Sequence, residues 1–86
     1  MPNHDIRERV VRTVSTALNL NEKEEENLRR EVGYKLLKKW SSARHAAVIV
    51  ALEDEFGIEI EEMTIPMLNN VTKIVNYISK VLSANS

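Results

Sequence analysis

The chain has 86 residues, enough for one small domain. A chain this size buries only ~60–65% of its unfolded surface, which argues against a deep catalytic cavity. A hydrophobic content of 43% excludes disorder, a net charge of −1 argues against general nucleic-acid binding, and the lack of cysteine removes disulfides, thiolate metal sites and any thiol of the chain's own.

The segment MPNHDIRERV has no apolar signal core, and no apolar run approaches ~18 residues. A cytoplasmic protein with no membrane partner is expected. The first helix is expected from about Asp5 to Leu18, with Asp5 and Glu8 as a D-x-x-E capping pattern. Ile6, Val10, Val14 and Ala17 mark one face, and Val11 and Leu18 widen it. Asn19-Leu20-Asn21 ends it.

From residue 21 to 39 the pattern is weaker. Leu28, Val32, Leu36 and Trp40 recur every fourth residue, and Asn21 with Glu24 resembles a second capping box. Glutamates stand early and lysines late, as suits a helix dipole, while Gly33 costs ~1 kcal/mol in a helix. A partial helix or a helical loop is expected, as a possible extra helical turn within 21–39.

The next helix opens at Ser41 or Ser42 and closes near Phe56, with Gly57 in the usual C-terminal position. A short helical turn follows around Met63–Leu68, limited by Pro66. Asn69 or Asn70 caps a last helix to Leu82, whose Val71, Ile74, Val75, Ile78, Val81 and Leu82 form a stripe of period 3.6. The isoleucines of GIEIEEM suit a strand, but one strand has no partner here. The reading is an all-α bundle of three long helices and a short one, a single domain over 1–86.

Charge is unevenly distributed. Residues 1–40 hold nine Lys/Arg against seven Asp/Glu, and residues 41–86 hold three against six. The acidic residues of the second half are Glu53, Asp54, Glu55, Glu59, Glu61 and Glu62.

The stretch WSSARHAAVIVALEDEFGIEI sets two serines before a helix that is apolar almost all round. Either serine is a good cap. If Ser41 is the cap, the Ser42 hydroxyl lies beside unpaired backbone N–H groups, where an attached anion is stabilised. The apolar helix behind is either fully buried or offers a strip, including Ala43, Ala47 and Val50, to a partner.

This stretch resembles the segment around the attachment serine of acyl carrier proteins. That family reads D-S-L, then an apolar helix, then an ending like L-E-E-E-F-G-I. A common variant has a tryptophan before the motif and a histidine three residues after the serine. Trp40, Ser42 and His45 match that variant, and Ala51 to Ile58 matches the helix end. NNVTKIVNYI, from Asn69 to Ile78, is similar to the family's last helix, and the spacing from Ser42 to Tyr77 fits without a gap. The resemblance covers residues 40–80 well and 20–39 poorly.

It implies a four-helix carrier bundle in which Ser42 receives 4′-phosphopantetheine from coenzyme A, through a separate Mg²⁺-dependent phosphopantetheinyl transferase. The arm's thiol then holds acyl groups as thioesters for acyl-transferring or condensing enzymes of fatty-acid, polyketide or specialised lipid synthesis. The carrier itself is not an enzyme; it raises the effective concentration of its cargo. A monomer is expected. Docking would involve Ala43, Ala47, Val50, Glu53 and Asp54. Leu52, Ile60, Met63, Ile65, Leu68 and Ile74 would line an acyl pocket, or form ordinary core, or both.

The motif departs from the family at three places. Ser41 replaces the aspartate, Ala43 replaces the leucine, and Arg44 with His45 makes the first turn basic. Such changes fit a specialised carrier; they also fit a carrier-like interaction module without the arm, serving as a structural partner in an enzyme complex. Arg29, Arg30, Lys35, Lys38 and Lys39 suggest a solvated face before a phosphate or nucleic-acid site. Ser42 and His45 lack an orienting acid and an oxyanion site, so nucleophilic catalysis is set aside. His4 and His45 alone make no metal site.

Overall fold

The computed structural model describes residues 2–30 and 38–84. They form α1 (Pro2–Leu18), α2 (Glu22–Arg29), α3 (Ser42–Phe56), a 3₁₀ helix (Glu62–Met67) and α4 (Val71–Ala84). The described residues contain no strand, and none of their helices is long and apolar enough to cross a membrane.

The first helix begins at Pro2, three residues before the expected start. Proline suits a first turn, where its missing N–H has no helical partner. Asp5 therefore lies within α1, and its side chain is outside the described residues. Ile6, Val10, Val11, Val14 and Leu18 are buried, as is Ser15; Ala17 is only half-buried. Helix α1 stops at Asn19, which takes a left-handed backbone (φ 55°) while Leu20 N–H donates to the Ser15 carbonyl at 2.9 Å. Asparagine tolerates this conformation better than most residues.

Helix α2 turns the weakest expectation into a definite element. The Asn21 side chain accepts from Glu24 N–H (2.8 Å), and Glu24 accepts from Asn21 N–H (2.9 Å), completing the capping box. Leu28 is its buried residue. Val32, Gly33, Lys35 and Leu36, which bore on the rest of this expectation, lie outside the described residues.

Helix α1 is the hub, packing against α2, α3 and α4. Its charged edge pins the others. Arg29 on α2 reaches Glu8 at 2.7 Å, and Arg7 donates to the Arg29 carbonyl at the end of α2. Arg9 donates to the Glu55 carboxylate (2.9 Å) and the Glu55 carbonyl (3.0 Å), with its guanidinium 4.4 Å from the Phe56 ring centre. One cation thus caps the C-terminal end of α3, neutralises a carboxylate and covers an aromatic face.

Helix α3 ends at Gly57, whose φ of 62° and ψ of 40° place it in the left-handed region that glycine enters without penalty. Asn70 caps α4 by accepting from Lys73 N–H at 2.8 Å. Val71, Ile74, Val75 and Ile78 enter the core, and Val81 and Leu82 lie at its edge, as the stripe predicts.

Candidate functional site

The start of α3 decides between its two serines. Ser41 has an extended backbone (φ −92°, ψ 170°) and its hydroxyl accepts from Arg44 N–H at 3.3 Å. Ser41 is the cap, and Ser42 is the first helical residue. Capping therefore does not need the Ser42 hydroxyl, and Ser42 is exposed beside the positive end of a four-turn helix.

One turn further in, the helix changes character. His45 is only 9% exposed, and both its ring nitrogens are engaged. The indole N–H of fully buried Trp40 donates to His45 Nδ1 at 2.9 Å. His45 Nε2 lies 2.8 Å from the Ile65 carbonyl. An indole N–H only donates and a carbonyl only accepts, so Nδ1 is the acceptor and Nε2 carries the proton. The ring is the neutral Nε2–H tautomer. It joins the segment before α3, α3 itself and the 3₁₀ helix in one chain of hydrogen bonds. Breaking that chain strands a buried N–H, at a cost of about 1–3 kcal/mol.

This corrects the expectation that Arg44 and His45 together make the first turn basic. Only Arg44 is exposed there. His45 faces inward because its spacing of three, four and seven residues to Val48, Ile49 and Leu52 puts it on the same buried side as these and Phe56. Trp40 immediately before the serines, with a histidine at the end of the first turn, was the available sequence signal for this pair.

Beside Ser42 is a small notch of about 220 Å³, lined by Ser42, His45, Ile65 and Pro66. His45 forms its inner wall, and Ile65 and Pro66 give it an apolar side.

The proposed docking residues separate into two groups. Ala43, Ala47 and Val50 are exposed on one face of α3, with Asp54 continuing the same line toward its end. Val50 is 56% exposed. The helix is thus apolar all round because one side is core and the other is surface. Glu53 does not belong to that surface. It is half-buried, and its carboxylate accepts from Ile60 N–H at 2.8 Å, holding the turn after α3.

The six residues considered for an acyl pocket also separate. Leu52, Ile60, Leu68 and Ile74 are core residues, and Ile65 is partly buried at its edge. Met63 is 88% exposed, which removes it from any interior lining. The 3₁₀ helix carries Met63 outward while Leu68, just past its end, turns in.

The basic segment is largely committed within the fold. Arg29 pairs with Glu8 and Glu25, Arg30 with Glu26, and Lys39 with Glu24 at 3.0 Å and with the Asn19 carbonyl at 2.9 Å. Lys38 is exposed, and Lys35 is outside the described residues. The Glu24 carboxyl is held below the usual carboxylate range, first by the Asn21 backbone N–H and then by Lys39.

Comparison with family models, curated proteins and solved structures found no match to this chain.

Proposed function

We propose that this chain is an acyl carrier protein bearing 4′-phosphopantetheine on Ser42. The observation that carries the reading is the division of labour between the two serines: Ser41 caps α3, and Ser42 is exposed as its first residue. Resemblance of residues 40–80 to the carrier motif supplies the chemistry, and the all-helical architecture is compatible with the carrier bundle.

The residues at this end of α3 suit such a group. A phosphodiester on Ser42 Oγ meets the positive end of the helix dipole. The Ile65 and Pro66 side of the adjoining notch offers apolar surface to the arm's dimethyl carbon. In the loading step Ser42 Oγ forms a bond to the phosphorus bearing the pantetheine arm of coenzyme A. The pyrophosphate P–O bond breaks, adenosine bisphosphate leaves, and the hydroxyl proton passes to a base of the transferase. The arm supplies the thiol that a chain without cysteine lacks. Its carrier role requires no catalytic group of this chain, only presentation of Ser42 on a rigid helix.

Incubation with coenzyme A, Mg²⁺ and broad-specificity phosphopantetheinyl transferases should raise the intact mass of the wild-type chain by one arm and leave Ser42→Ala unchanged. An unchanged wild-type mass with several transferases refutes the proposal.

A second reading is a carrier-like interaction module without the arm. It is favoured by the exposed Ala43, Ala47 and Val50 strip, which offers a partner apolar surface independent of the hydroxyl. Co-purification with an enzyme partner, undiminished in Ser42→Ala, is its expected signature; loss of the partner with Ser42 rejects it.

A further inference from the structure

We infer that acyl groups carried on Ser42 ride outside the bundle, so the natural cargo is a short or polar acyl group and not a long alkyl chain. This rests on the attachment reading above and adds the class of cargo to it.

The notch that adjoins Ser42 lies where the first turn of α3 meets the 3₁₀ helix. His45 closes that notch. Its ring is buried one turn from the attachment point and is bonded to Trp40 on one nitrogen and to Ile65 on the other. The Ile65 carbonyl also accepts from Leu68 N–H at 3.2 Å, so the residue that His45 holds is itself fixed to the start of the next segment. Deeper in, Leu52, Leu68 and Ile74 are at most 2% exposed and belong to one packed core.

Entry of a chain through this notch therefore requires the imidazole to leave both partners at once. That takes from the indole N–H of fully buried Trp40 the acceptor it has in the fold. A short acyl group brings too little apolar surface to offset this, and a polar one brings none. A long alkyl chain on this carrier would remain in water, where it is disfavoured. The two-sided hydrogen bonding of His45 thus acts as a length and polarity filter at the site of attachment.

The test uses the intact chain. Wild type is loaded with acetyl- and with octanoyl-phosphopantetheine by a broad-specificity transferase, and loading is verified by intact mass. Cleavage of each thioester by hydroxylamine is then timed. The two wild-type rates should agree within about three-fold, because neither thioester is shielded from water. A larger protection of the octanoyl form overturns the inference while leaving the attachment reading intact; failure of wild type to gain mass overturns both. His45→Ala, which opens the inner wall, should slow octanoyl cleavage relative to acetyl by more than that same factor. If a folded His45→Ala chain gives equal rates, His45 is not the filter. Should that variant fail to fold, the wild-type pair alone decides.

Discussion

The Trp40–His45–Ile65 chain of hydrogen bonds can be tested for its energy apart from any cargo. In His45→Leu the replacement keeps a large apolar side chain but can neither accept from Trp40 nor donate to Ile65. The Ile65 carbonyl keeps its bond from Leu68 N–H, so its loss is small. The Trp40 N–H, on a side chain with no exposure, loses its acceptor outright. A buried donor left without a partner costs about 1–3 kcal/mol. For a domain of this size that lowers Tm by roughly 4–24 °C. Urea denaturation at neutral pH, with m unchanged, measures the same quantity. The decisive arm is a double-mutant cycle. In a Trp40→Phe background there is no N–H to strand, so His45→Leu should cost at least about 0.5 kcal/mol less than in wild type. Additivity within a few tenths of a kcal/mol, or a single His45→Leu within about 0.5 kcal/mol of wild type, would show that the bond has no energetic role.

Two further outcomes are expected from the packing and the charges. Leu52→Ala removes a fully buried side chain from the middle of α3 and should cost about 2–5 kcal/mol in equilibrium unfolding; a change within the surface range of about 0.5 kcal/mol would refute its place in the core. Glu24, whose pKa is lowered in the fold, should stabilise the chain above its ordinary value of 4.5, with that contribution lost as pH falls through the lower folded value. Glu24→Gln keeps an acceptor for Asn21 but loses the charge, so its deficit against wild type should shrink on acidification; a deficit independent of pH between 7 and 3 would refute the charge's role.

The helices themselves were readable along the chain because their signals are local. Caps act over three residues, as at Asn21 and Glu24 or at Asn70 and Lys73, and a left-handed Gly57 needs only its own lack of a side chain. The stripe of α4 needs only the period of a helix. The start of α3 is legible as Ser41 or Ser42, and the geometry at Ser41 decides which one caps. Contacts between distant residues had no such signal. That Arg9 would cover the end of α3, that Glu53 would hold Ile60 instead of facing a partner, and that His45 would bond a carbonyl twenty residues on were decided by how α1, α3 and the 3₁₀ helix pack. Spacing along one helix specifies which side chains share a face, but only the neighbouring elements determine what that face meets. The same sequence that announces a serine at a helix start therefore suggests a basic first turn at Arg44 and His45, where the packing makes the histidine a buried link.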